Sequence, residues 1–195
     1  NDLRAAGVRR AILLTGYLHD KIESRYGRRW NDVEIEYSRE SSPLGTWGAV
    51  RNAIESLSLS GPAIVMNGDI VTDADLARLA SPAGHLVTIL AVPLRSPYGI
   101  LELDGSRITG FREKPILPHY INGGVYGARD LGELLEYGRG LNPPASLEYD
   151  IFPNLARAGL LGAYLVDRGV LWRSVDTVKD LEELRQIFGG LKGKA

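Results

Sequence analysis

The fold is decided by PAIVMNGD, residues Pro62–Asp69. Four apolar residues in an unbroken row, Ala63 to Met66, match a strand covered on both faces, and Asn67-Gly68-Asp69 closes it with a polar end. Upstream, AVRNAIESL sets Val50, Ile54 and Leu57 on one helical face. Downstream, DADLARLA is a short helix and LVTILAVP a second buried strand. Further out, VRRAILLTG is a buried strand ending at Gly16, LHDKIESRYG spaces Leu18, Ile22 and Tyr26 as a helix, and DVEIEYS alternates Val33, Ile35 and Tyr37 with the period of a half-exposed strand. Strand-helix alternation of this kind predicts an α/β domain, a three-layer α/β/α arrangement around a mostly parallel mixed sheet.

The middle of the chain breaks the alternation. YGILELDGSRITGFREKP is an inserted hairpin turning at Asp104-Gly105. YINGGVYGA is a strand around a glycine pair, DLGELLEYG and LEYDIFPNLARAG are helical, and GAYLVDRG and VLWRSV are strands. TVKDLEELRQIFGG is a last amphipathic helix. There is no repeat and no linker, so residues 1–190 are expected to form one domain, with 191–195 as a tail. NDLRAAG resembles the last turns of a helix stopped at Gly7 with no matching start, so the chain is expected to be an N-terminally shortened form of a longer protein.

Composition narrows the function classes. With 44% hydrophobic and 24% charged residues over 195 positions, the chain can bury one sizeable core. A formal net charge of -1 argues against nucleic acid as a partner. No window of 18 apolar residues calls for a membrane, and the N-terminus lacks the apolar core of a signal peptide. The absence of cysteine removes disulfides, thiolate metal sites and cysteine nucleophiles, and a cytoplasmic location is expected.

Ligands of open α/β sheets bind at the carboxyl ends of strands, where Asp69 falls. A carboxylate there can bind Mg²⁺ or simply start a turn. Asp73 and Asp75 are explained by a capping-box pattern of Thr72 with Asp75. In Glu113-Lys114-Pro115, proline is expected to hold Lys114 extended, ready to clamp a phosphate; a solvated Glu-Lys pair is the alternative. Asn122-Gly123-Gly124 marks a bulge or a close approach by a ligand or a neighbouring element. In WRSVDT, Asp176 is a second acidic strand end, beside a capping pattern of Thr177 with Asp180. SSPLGTWGAV, residues Ser41–Val50, places small residues and a threonine where a helix begins, for packing or for something that comes close. His19, His85 and His119 form no ligand-like spacing, and neither a Ser-His-Asp set nor a G-x-S-x-G elbow is present.

Taken in order, TGYL, PLGTWGAV, NGD, YGILELDG with ITGFREKP, INGGVY, SLEYDIFP and WRSVDT resemble the sugar-1-phosphate nucleotidylyltransferases, or NDP-sugar pyrophosphorylases. The resemblance covers nearly the whole chain and implies a Rossmann-like fold. It implies an enzyme that makes an NDP-sugar and pyrophosphate from an NTP and a hexose-1-phosphate (mannose- or glucose-1-phosphate), with Mg²⁺ as cofactor. By position it assigns Leu44, Gly45, Thr46 and Gly68 to the nucleotide, and Tyr98, Gly99, Glu113, Asn122 and Gly123 to the sugar. Lys114 would hold the sugar phosphate, and Asp69 and Asp176 the metal. No general base is needed, because the attacking sugar phosphate is already an anion. A homo-oligomer is compatible with it.

Two departures qualify the resemblance. The family's glycine-rich G-x-G-T-R phosphate loop occurs nowhere in these 195 residues, so the chain as it stands is expected to be inactive. In many members the metal aspartate lies two residues after the tryptophan, where Ser174 stands; here Asp176 precedes the threonine, as in the cytidylyl branch and many archaeal-type members, which leans towards a glucose-1-phosphate cytidylyltransferase-like or a mannose- or glucose-1-phosphate member and leaves the base open. Trp47 takes a place usually held by a small residue. Two alternatives remain: a metal-dependent glycosyltransferase using Asp73-Ala74-Asp75, and a non-catalytic sugar-nucleotide-binding or regulatory subunit.

Overall fold

The computed structural model describes residues 6–80 and 84–192. In chain order the elements are β1 (Arg10–Thr15), α1 (His19–Tyr26), β2 (Arg29–Trp30), β3 (Val33–Arg39), α2 (Gly45–Ser56), β4 (Ala63–Met66), β5 (Ile70–Thr72), α3 (Ala77–Ala80) and β6 (Val87–Arg95). The hairpin follows as β7 (Ile100–Asp104) and β8 (Arg107–Arg112). Then come β9 (Ile116–Ala128), α4 (Leu131–Tyr137), a π-helical turn (Leu147–Ile151), α5 (Phe152–Arg157), β10 (Leu161–Leu165), β11 (Trp172–Ser174) and α6 (Val178–Lys192). The α/β expectation holds, and the sheets are mixed: β1 pairs parallel with β3, while β2–β3, β5–β11 and β7–β8 are antiparallel. The strand orders are β1-β3-β2, β10-β6-β9-β4, β11-β5 and β7-β8.

The chain divides into two compact units made of interleaved segments. Unit 1 holds Asn1–Val65, Asp75–Ile89 and Tyr126–Gly162; unit 2 holds Met66–Ala74, Leu90–Val125 and Ala163–Ala195. The core of unit 1 gathers Trp47, Val50 and Ile54 of α2 with Leu86, Val87, Tyr126, Leu134, Ile151, Phe152 and Leu155. The helical spacing of 47, 50 and 54 is what turns one face of α2 inward. Tyr126 and Phe152 meet edge to face at 4.9 Å between ring centroids.

Several local expectations change. β1 and β4 are only half-buried, not covered on both faces, because each is the end strand of its sheet among the described residues. The hairpin turn is Gly105-Ser106, with Asp104 still paired to Arg107; Gly105 takes φ 58°, a left-handed value that a residue without Cβ adopts freely. The last helix reaches Lys192, past the point expected to begin a tail. The helix end proposed for NDLRAAG rests on residues 1–5, and the end of the tail on 193–195, all outside the described residues.

Candidate functional site

Within unit 1, PLGT leads into α2. The helix starts at Gly45, earlier than the apolar spacing alone indicates, because its first turn is capped from a distance. The Ala145 carbonyl accepts the N–H groups of Trp47 (2.9 Å) and Gly48 (3.2 Å), and the Ala145 N–H donates to the Leu44 carbonyl at 2.9 Å. Two of the donors that a helix N-terminus leaves open are satisfied this way. Gly45 sits at φ 78°, and a Cβ there would collide with the Ala145 carbonyl. The missing side chain is therefore required by the protein's own backbone. Trp47 is fully buried and donates its indole N–H to the Gly138 carbonyl at 3.3 Å, so it is a core anchor. Leu44 is half-buried, while Gly45 and Thr46 are exposed.

Thr46 leads to a residue that the sequence reading passed over. Its hydroxyl donates to Glu148 Oε2 at 2.7 Å, and Ser146 Oγ donates to the same oxygen at 2.8 Å. Tyr126 OH donates to Oε1 at 3.2 Å. Burial alone would push the Glu148 carboxyl up; the hydrogen bonds from Thr46, Ser146, its own backbone N–H and Tyr126 outweigh this and hold it below its usual value. The available signal was the pair Ser146-x-Glu148 set between the apolar residues Ala145, Leu147 and Ile151.

Within unit 2, three of the motifs are tied together. β5 and β11 pair as Trp172↔Thr72, Arg173↔Val71 and Ser174↔Ile70, and the ladder continues as Val175 N–H donates to the Asp69 carbonyl at 2.9 Å. Asp69 and Asp176 thus lie on facing strand ends beside one backbone bond, and both are exposed. Asn67 N–H donates to the Gly124 carbonyl at 2.9 Å, and the Trp172 indole donates to the Gly123 carbonyl at 2.8 Å. These bonds join NGD, INGG and WRSVDT. A Cβ on Gly123 would lie 2.7 Å from the Leu90 carbonyl oxygen; one on Gly124, at φ 69°, would lie 2.9 Å from Ile70 Cγ1. Neighbouring strands therefore make the close approach at the glycine pair. The exposed Asn122 turns its Oδ1 back to accept the Gly124 N–H at 2.9 Å. At Gly68, by contrast, a Cβ would meet nothing within 4 Å.

A second constellation in unit 2 holds Tyr98, Gly99, Glu113 and Lys114. A Cβ on Gly99 would lie 2.7 Å from Phe111 Cζ and 3.0 Å from Glu113 Oε2, so Glu113 lies against the Gly99 backbone. Ser96 Oγ donates to the Tyr98 carbonyl at 2.7 Å, and Tyr98 itself is exposed. Lys114 is not extended: its φ is 43°, in the left-handed region. Only three residues separate β8 from β9, and they are pinned by Ser96 N–H on the Pro115 carbonyl (2.9 Å) and Arg95 Nη1 on the Lys114 carbonyl (3.4 Å). Those bonds override the local preference of a residue before proline.

The other acidic residues are occupied locally. Asp73 Oδ1 accepts the Leu171 N–H at 2.7 Å. The Thr72–Asp75 capping box does not form: Thr72 Oγ1 accepts from Ala74 N–H and donates to the Leu171 carbonyl, while Asp75 accepts from Ala77 N–H. Thr177 and Asp180 do form the reciprocal box, at 2.8 Å and 3.2 Å, and the Thr177 hydroxyl is the main cause holding the Asp180 carboxyl below its usual value. His19 bonds Thr15 Oγ1 through Nδ1 at 2.7 Å and Glu23 through Nε2 at 3.2 Å, a structural arrangement.

Comparison with known proteins points one way. A family model described as nucleotidyl transferase matches residues 1–188. The chain is 33% identical over 132 residues to the D-glycero-alpha-D-manno-heptose 1-phosphate guanylyltransferase of Aneurinibacillus thermoaerophilus, covering 64% of this chain and 56% of that protein. It is 32% identical over 200 residues to the mannose-1-phosphate guanyltransferase of Yarrowia lipolytica, covering 92% of this chain and 51% of that one. The chain spans about half the length of the curated relatives it matches. Among solved structures, HddC from Yersinia pseudotuberculosis superimposes with a TM-score of 0.71 at 24% identity, over 95% of this chain and 81% of that one. HddC has also been crystallised with GMP-PN.

Proposed function

This chain belongs to the nucleotidyl transferase family, and on that premise we propose that it serves a nucleotidylyltransferase that joins an NTP to a hexose- or heptose-class sugar-1-phosphate. An oxygen of the sugar phosphate attacks the α-phosphorus of the NTP. The bond from that phosphorus to the bridging oxygen breaks, and pyrophosphate leaves with the electron pair. Guanine is the base favoured by the names of the relatives. The observation that carries the reading is the backbone bond between Val175 and Asp69, which sets two exposed carboxylates, Asp69 and Asp176, on adjoining strand ends.

Those carboxylates fit Mg²⁺, a hard cation that keeps waters and phosphate oxygens as its remaining ligands. Asp69 and Asp176 would supply two carboxylate ligands, and the substrate phosphates would complete the shell. The ion, when bound, contributes charge neutralisation at the phosphates. Lys114 holds the attacking phosphate, and Glu113, with Tyr98, Gly99, Asn122 and Gly123, holds the sugar. Within unit 1, Leu44, Gly45 and Thr46 receive the nucleotide. A cytoplasmic setting accompanies this reading, in keeping with the cysteine-free sequence.

The test is a panel of NTPs and sugar-1-phosphates with Mg²⁺ on the protein in its full encoded length, measuring pyrophosphate. GTP with a manno-configured sugar-1-phosphate is expected to turn over fastest. Lys114→Ala should raise the KM for the sugar phosphate about 10- to 100-fold, the worth of one charge-assisted hydrogen bond. Hydrolysis of, or transfer from, a nucleotide sugar with no pyrophosphate chemistry would favour the glycosyltransferase. That alternative is opposed by the engagement of Asp73 and Asp75 with backbone N–H groups.

A further inference from the structure

We propose that Glu148 is a positioning residue for the nucleobase: its carboxylate locks the Thr46 hydroxyl, and with it the first turn of α2, in the conformation that receives an uncharged heteroaromatic ring. The inference rests on the proposed nucleotide role of Leu44, Gly45 and Thr46.

The hydroxyl protons at this site have little choice of direction. Thr46 Oγ1 already accepts the Leu147 N–H at 2.8 Å. Ser146 Oγ already accepts the N–H groups of Glu148 (3.1 Å) and Tyr149 (3.2 Å). Each hydroxyl is left to donate, and both donate to Glu148 Oε2. An ionised carboxylate is an acceptor only, so it suits two converging donors. Around this point Leu44–Gly48 and Ala145–Glu148 are laced by the backbone bonds through Ala145. Removing the carboxylate strips the side-chain tie from that lacing and takes away the acceptor of the Thr46, Ser146 and Tyr126 hydroxyls.

The charge also selects the ligand. A helix N-terminus ordinarily attracts phosphate. Here a carboxylate already bonds the first-turn side chain of a 12-residue helix, so a polyphosphate would meet like charge. A neutral base would not.

The experiment compares Glu148→Ala, Thr46→Val, their double variant and Glu148→Gln in the full-length protein. It reads the KM for GTP, the KM for the sugar-1-phosphate, and inhibition by guanosine and by pyrophosphate. Each single truncation is expected to raise the GTP KM and the guanosine inhibition constant about tenfold, with the double variant no worse than the worse single one. The sugar-phosphate KM and pyrophosphate inhibition should shift less than about twofold. Glu148→Gln keeps one oxygen for both hydroxyls and should recover most of the GTP affinity. An unchanged GTP KM in Glu148→Ala, a shift confined to the sugar phosphate, or multiplicative losses in the double variant would overturn the inference alone. Wild-type protein that binds no NTP would overturn the functional reading and the inference together. If Glu148→Ala fails to fold, Thr46→Val and Glu148→Gln decide by the same readouts.

Discussion

Turnover in Asp69→Asn and in Asp176→Asn is expected to fall about a thousandfold each, the scale on which losing one preorganised electrostatic contact to a phosphoryl transition state acts. Each change keeps the shape of the side chain and removes one negative oxygen donor. The backbone bond between Val175 N–H and the Asp69 carbonyl does not involve either carboxylate, so both variants should melt close to wild type. Ser174→Ala is the control: Ser174 pairs with Ile70 through its backbone, and activity should stay within a few-fold. Steady-state pyrophosphate release over a Mg²⁺ titration measures all three. Asp176→Asn retaining a tenth or more of wild-type turnover would remove Asp176 from the site.

Gly45→Ala should be strongly destabilising in unit 1. It forces a Cβ into the left-handed region, at roughly 1–2 kcal/mol, and drives it onto the Ala145 carbonyl. A total loss of about 3–5 kcal/mol is expected, lowering Tm by roughly 10 °C for a chain of this size. Gly140→Ala, where nothing lies within 4 Å, should change stability by less than about 0.5 kcal/mol. Thermal unfolding followed by circular dichroism makes the comparison. A Gly45→Ala protein melting within about 2 °C of wild type would mean that the Ala145 cap yields easily, and the account of the α2 start would fail.

Much of the fold was legible because apolar periodicity is local. AVRNAIESL gave the inward face of α2, and alternation in DVEIEYS gave β3, from a few residues each. Both candidate metal ligands were legible as acidic strand ends, and the resemblance paired them, but no spacing rule could: the β5–β11 pairing joins segments about a hundred residues apart. Lys114 went the other way, since the rule for a residue before proline is local and the bonds from Ser96 and Arg95 that overrule it are not. Gly45 showed that something comes close, but only the folded chain identifies it as Ala145. Glu148 was hidden for a similar reason, its partner Thr46 lying 102 positions away.

The short β5–β11 ribbon also fixes when the acidic pair can exist. Three residue pairs, the Val175–Asp69 backbone bond and the bonds of Leu171 with Thr72 and Asp73 join the segment after Asp69 to the segment before Asp176, across a loop whose closure costs about 4 kcal/mol in chain entropy. During synthesis, Asp69 leaves the ribosome long before its counterpart. On the proposed metal reading, cation affinity arises only once this ribbon has formed, and a bound cation in turn holds the ribbon closed by mass action.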